Sequence, residues 1–146
     1  MSRINFFQEE TDFKLQSPQK IRRWLNSVAL AEHKSIDELN FIFCSDPYLL
    51  KINHEYLNHD TYTDVITFDH SENSKELAGD IFISIDRITE NAINFETSFQ
   101  KELNRVIAHG VLHLIGYQDK TEKDQLVIRS KEELYINNYQ CSTWNI

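Results

Sequence analysis

The segment "AHGVLHLIGYQDK", residues 108–120, constrains this chain more than any other. It reads as the end of a long apolar helix, yet it carries His109 and His113 four residues apart. Side chains at that spacing differ by ~40° around a helix axis and stack on one face ~6 Å apart, so the pair can grip a single ion. Gly116 then permits a sharp reversal, and Asp119, three residues on, can fold back to complete a triad of two neutral imidazoles and a carboxylate. Such a donor set suits Zn²⁺ or another divalent first-row ion and leaves at least one position open. The plainer reading is two hydrogen-bonded, part-buried histidines with Asp119 capping a turn. The glycine placed where the chain must turn tips the balance toward a site.

The full spacing, H-x3-H-x2-G-x2-D, is that of the metzincin protease ligand skeleton with aspartate in place of its last histidine. In those proteases a glutamate follows the first histidine and activates the metal's water. Here Gly110 stands at that position and cannot take a proton. The ligand spacing is metzincin-like; the protease machinery is missing. No second cluster of ligands suggests a two-metal site.

With 146 residues the chain is expected to form one domain over 1–146, since ~100–200 residues per domain is usual. A chain of this size buries roughly 70% of its unfolded surface and needs no disulfide or metal to hold a core. Cys44 and Cys141 make no metal spacing, and both are expected to be reduced, Cys44 buried within "FIFC". The start, "MSRINFFQEETDFKL", is broken by Glu9, Glu10 and Asp12 before a leader could build up. No apolar run approaches the ~18 residues of a membrane span, so no membrane association and a cytoplasmic location are expected. The net charge of −8 argues against a broad nucleic-acid surface, because the basic stripe such a surface needs is missing. The only basic cluster, Lys20, Arg22 and Arg23, is short, and Lys51 and Arg105 are far from it in sequence, so any RNA must be met locally or within a larger assembly.

Along the chain, "INFF" reads as a first strand and "SPQKIRRWLNSVALAEH" as a helix with Ser17 as N-cap and Pro18 at its first position. "LNFIFC" reads as a buried strand, and "SDPYLLKINHEYLN" as a second helix opened by Asp46 and Pro47. "TDVITFD" and "AGDIFISI" form a plausible antiparallel pair. Three helices follow: one capped by Asp86, the long one ending at Gly116, and a last one capped by Thr121. The order β-α-β-α-β-β-α-α-α implies an α/β fold of the α+β kind. We expect a small mixed four-stranded sheet packed with about five helices, with right-handed crossovers linking its first three strands.

The motifs together resemble a known family, the YbeY endoribonucleases or rRNA maturation factors. Their hallmark, H-G-x-L-H-L-x-G-Y-D-H, is similar to "HGVLHLIGYQD" at 109–119. Their T-D-V-L-S-F and G-D-I-x-I-S segments are matched by "TDVITF" at 63–68 and "GDIFIS" at 79–84. "KINHEYLNHDTYTDV" is similar to the family's L-N-x-x-Y-R-x-x-D-x-x-T-D-V. There are two departures: the family's third histidine ligand is Asp119 here, and the arginine of the upstream motif is Leu57. The resemblance implies one metal ion per chain on His109, His113 and Asp119, Zn²⁺ by preference with Mn²⁺ or another divalent ion possible. It also implies cleavage of single-stranded RNA in 16S rRNA 3′-end maturation and ribosome quality control, with the ribosome or a small-subunit precursor as partner. A Lewis-acidic ion would stabilise charge on a phosphate oxygen as the scissile bond breaks.

Two other functions compete: a non-catalytic ribosome-assembly protein with a structural metal, and a peptidase, which Gly110 disfavours. No general base, cleavage position or oligomeric state can be assigned from the sequence. Asp64 and Thr67 are expected to fix the strand pair and the cleft floor and not to transfer protons, with a role behind a histidine as the alternative. Tyr117 is expected to pack beneath the metal loop. His54, His59 and His70, with Glu132 and Glu133, read as solvated surface groups.

Overall fold

A computed structural model describes residues 2–57 and 63–141, with side chains as far as Tyr139. The elements run β1 (Arg3–Glu9), α1 (Pro18–Ala31), β2 (Ser35–Cys44), α2 (Asp46–Leu57), β3 (Val65–Asp69), β4 (Glu76–Ser84), α3 (Ile85–Asn94), α4 (Phe99–Ile115) and α5 (Glu122–Cys141). Among the described residues, five helices and a four-stranded mixed sheet make an α+β fold, as the sequence pattern implies.

The sheet order is β1-β2-β4-β3. β1 and β2 pair in parallel, as do β2 and β4, while β3 runs antiparallel to β4. The expected β3–β4 pair is therefore present, but crossovers do not link the first three strands side by side. β4 inserts between β2 and β3 and leaves β3 at the edge, where it can border a cleft. β4 is the more apolar of the two, with Leu77, Ile81 and Ile83 buried, which suits a strand paired on both sides.

Strand alternation gives the sheet two unequal faces. Phe41 and Phe43 of β2, with Ile81 and Ile83 of β4, face the main core against α1 and α4. The buried set on β2 shifts from Ile36 to Leu39 because a register irregularity falls between Ile36 and Glu38. Phe82 faces the other way, into a small cluster of Cys44, Leu49 and Ile66 beneath α2.

α1 inserts the expected stripe of Ile21, Trp24, Leu25 and Val28, all fully buried. Trp24 also donates its indole N–H to the Tyr135 carbonyl of α5, 2.8 Å away.

Three helix caps differ from expectation. Ser17 stands at the N-cap of α1 in left-handed geometry and makes no side-chain cap bond; Pro18 alone sets the start. At α2 the Tyr48 N–H is accepted by the Ser45 hydroxyl, because Asp46 is drawn to Ser84 and Arg87 of the neighbouring helix start. α3 is capped by Ser84, whose hydroxyl accepts from Arg87 N–H, while Asp86 turns outward to accept from Asp46 N–H. Thr121 does cap α5, accepting from Asp124 N–H at 3.0 Å.

α4 is the central helix and comes very close to the sheet. A β-carbon placed on Gly110 would meet Ile81 Cγ2 at 2.9 Å, so only glycine lets the helix lie this near β4. The helix ends at Gly116 with φ 128°, in the left-handed region that favours glycine. Among the described residues no helix is long and apolar enough to cross a membrane.

Candidate metal centre

His109 and His113 project from one face of α4, their rings 4.5 Å apart and nearly perpendicular. After Gly116 the chain reverses: Tyr117 N–H donates back to the Leu112 carbonyl at 3.0 Å. Tyr117 packs against the core, as expected, and its hydroxyl donates to Glu32 at 2.7 Å. Gln125 donates to the Asp119 carbonyl at 3.1 Å. The turn is thus held from both ends, and Asp119 is brought back over the histidines.

Asp119 Oδ2 lies 3.3 Å from His113 Nε2 and 3.5 Å from His109 Nε2, and the two Nε2 atoms are 2.9 Å apart. Donors about 2.1 Å from one ion sit about 3.0 Å apart in octahedral geometry and about 3.4 Å apart in tetrahedral geometry. The triangle falls in that range.

Protonation makes the fit sharper. His113 Nδ1 lies 3.0 Å from the Tyr117 carbonyl, which can only accept, so the ring's proton sits on Nδ1. His109 Nδ1 lies 2.5 Å from Glu132 Oε2, which fixes the same tautomer. Both Nε2 atoms then present lone pairs toward a carboxylate oxygen. Three acceptors converge with no donor among them, an arrangement that a cation completes. These three residues could hold a metal ion.

The site opens into a cleft of about 450 Å³ between α4 and the β3 edge, bordered by Asn53, Leu57, Asp64 and Thr67. Asp64 adds to the fixing of the β3–β4 pair through its carbonyl, which accepts from Ser84 N–H. Burial pushes its carboxyl above the usual range, against the pull of Arg105.

Glu132 is not the surface charge expected of it. It is buried, at 3% exposure, and bonds His109 and Arg105. Arg105 grips Glu102, also buried, through two hydrogen bonds of 2.7 and 3.0 Å and reaches Asp64 at 3.5 Å. Burial works against the Arg105 charge, but the hydrogen bonds to Glu102 and the charges of Glu132 and Asp64 outweigh it and raise its pKa. The signal lay in the spacing. Glu102, Arg105, His109 and His113 share one stripe of α4, and Glu132 stands in the buried stripe of Ile128, Tyr135 and Tyr139 on α5.

Of the other histidines, His70 is not merely solvated, since it pairs with Asp80 at 3.0 Å. His54 is exposed, and His59 lies outside the described residues. Cys44 is a free, buried thiol as expected; the Cys141 side chain lies outside the described set. Leu57, at the family's arginine position, is 41% exposed at the cleft.

The family model described as "Endoribonuclease YbeY" matches residues 3–140. An endoribonuclease YbeY from Cytophaga hutchinsonii is 53% identical, covering 92% of this chain and 94% of that protein. One from Flavobacterium psychrophilum is also 53% identical, covering 87% and 90%. The solution structure of TM1509 from Thermotoga maritima shares the fold, with a TM-score of 0.66 at 24% identity over 98% of this chain and 95% of that one. A family match spanning nearly the whole described chain, with relatives at this identity, means that the chain belongs to the endoribonuclease YbeY family.

Proposed function

We propose that the protein is a metal-dependent endoribonuclease that cleaves single-stranded RNA during 16S rRNA 3′-end maturation. One observation carries the reading: three lone pairs, from His109, His113 and Asp119, converge at the wall of an open cleft. Zn²⁺ is the ion that two imidazoles and a carboxylate suit best, one per chain, with Mn²⁺ as the alternative. When bound, the ion supplies Lewis acidity to a phosphate oxygen. The chain's own residues do the rest. Glu132 and the Tyr117 carbonyl hold the imidazoles in the ligating tautomer, and the Asp64 and Thr67 side lines the strand's path. The domain 1–146 acts as one unit, in the cytoplasm, on a strand presented by the ribosome or a small-subunit precursor.

Family membership does not favour a non-catalytic assembly protein with a structural metal, and an open cleft beside the triad supports the same choice. A peptidase lacks its base, because Gly110 occupies the position and has no room for a side chain. Metal-dependent cleavage of a defined RNA by the parent, set against His113→Ala and a peptide-library control, tests all three readings. RNA cut only by the metal-loaded parent is expected. RNA cleavage unchanged in His113→Ala would remove the metal from the mechanism.

A further inference from the structure

Resting on the metal reading above, we propose that Glu132 is a positioning residue: from α5 it fixes and polarises the His109 imidazole as a metal ligand. Its Oε2 lies 2.5 Å from His109 Nδ1, on the ring edge opposite the nitrogen that faces Asp119. A carboxylate there holds the ring in one tautomer and orientation and makes Nε2 a stronger donor. The two ligands are therefore unequal. His113 is backed by a neutral carbonyl, His109 by an anion.

The surrounding charges show that this anion is built in. Glu102 and Glu132 are both buried, and the guanidinium of Arg105 bonds both carboxylates. Arg105 gives Glu102 its two short contacts and reaches Glu132 only at 3.3 Å. One cation between two buried carboxylates leaves one negative charge in excess, and Asp64, at 3.5 Å, adds another. Buried charge of this kind is costly unless it is compensated. A dication on Nε2 of His109 compensates it through the ring. A bare helix-to-helix clamp would need only one carboxylate for its arginine and no histidine at all.

A clamp and a positioning residue differ in what the Glu132→Gln variant loses. Gln keeps the volume and removes the charge. Competition between the protein and a chelator of known zinc affinity, at fixed pH, should give the parent a measurable Kd. The variant's affinity should be about 10–100-fold weaker, while Glu133→Gln, on the exposed neighbour, stays at the parent value. A shifted unfolding midpoint with unchanged zinc affinity would mark Glu132 as a clamp and overturn the proposal. No zinc binding by the parent itself would instead overturn the metal reading.

Nitrogen-15 spectra of the histidine rings in the metal-stripped parent give a test that needs no variant. They should show His109 protonated on Nδ1, with that proton far downfield, and bare on Nε2. A His109 ring carrying its proton on Nε2 would overturn the proposal even if Glu132→Gln failed to fold.

Discussion

Asp119 Oδ2 sits 3.3 Å from His113 Nε2, six residues on, across a turn that the Tyr117 N–H closes onto the Leu112 carbonyl. The turn is held from α1 through Glu32 and Tyr117, and from α5 through Gln125. The third donor of the site is therefore placed by a local turn that tertiary contacts brace, where the first two are placed by α4.

Metal content should follow that division. Protein prepared without chelators should carry near-stoichiometric divalent metal by elemental analysis, lost in His109→Ala because one of the two helix-borne donors is gone. Asp119→His should retain the ion and Asp119→Ala should bind it much more weakly. A carboxylate also makes the site more tolerant of harder ions such as Mn²⁺ than three imidazoles would be. Equal metal in the parent and His109→Ala would contradict the assignment.

Glu32 gives the fold an acid-sensitive contact. Burial alone would push its carboxyl up, but hydrogen bonds from Tyr117, Tyr135 and Lys131 outweigh burial and hold it below its ordinary value of 4.5. A depressed carboxyl contributes its full stability above the unfolded pKa and loses it as pH falls through the folded one. Below pH 4.5 that contribution should therefore fade. Glu32→Gln should cost about 1–3 kcal/mol at neutral pH and flatten the acid limb of a urea-unfolding series. An acid limb as steep as the parent's would show that Glu32 carries no such linkage.

Gly110 marks where α4 rests on the sheet. A methyl group there meets Ile81 Cγ2 at 2.9 Å, so Gly110→Ala should cost about 1–3 kcal/mol through overpacking. Gly110→Glu, the substitution that would restore a protease's base, should fail to fold and gain no peptidase activity. Gly110→Ala at parent stability, read from chemical denaturation, would mean that α4 has slack against β4.

The convergence of His109, His113 and Asp119 was legible because one helix and one glycine turn relate them, and periodicity reports local relations directly. β3 and β4 were legible for the same reason, as adjacent β-rich runs. The insertion of β4 between β2 and β3 was not, because strand order depends on which strand can be buried between two neighbours. Glu132 was missed because its environment depends on the phase of α5 against α4. A glutamate in a helical sequence looks solvated until its stripe is aligned with Ile128, Tyr135 and Tyr139. Caps were mistaken where an acidic residue found a better partner across the fold, as Asp46 does in Arg87.

RNA binding is where the structure departs most from a generous basic groove. Arg105, on the same stripe of α4 as His109, is locked between Glu102, Glu132 and Asp64. Arg22 donates to the Ile4 carbonyl and stacks on Phe6, at the junction of β1 and α1. Exposed Lys51, two residues from Asn53 of the cleft, and exposed Lys120 and Lys123, just past Asp119, are the candidates to meet phosphates there. Affinity for single strands grows with the counterions such contacts release, at a slope of about 0.7 per phosphate. With about one to three contacts, the isolated protein should bind short RNA weakly, and log K should fall with log salt at a slope of about −0.7 to −2. Leu57 borders the cleft and is 41% exposed, so an arginine there has room to reach a bound strand. Leu57→Arg should tighten binding and steepen the slope by about 0.7, read by fluorescence anisotropy across a salt titration. Tight binding with a steep slope in the parent would mean that phosphates are met by a surface other than this cleft. An unchanged slope in Leu57→Arg would mean that the strand does not pass the end of α2.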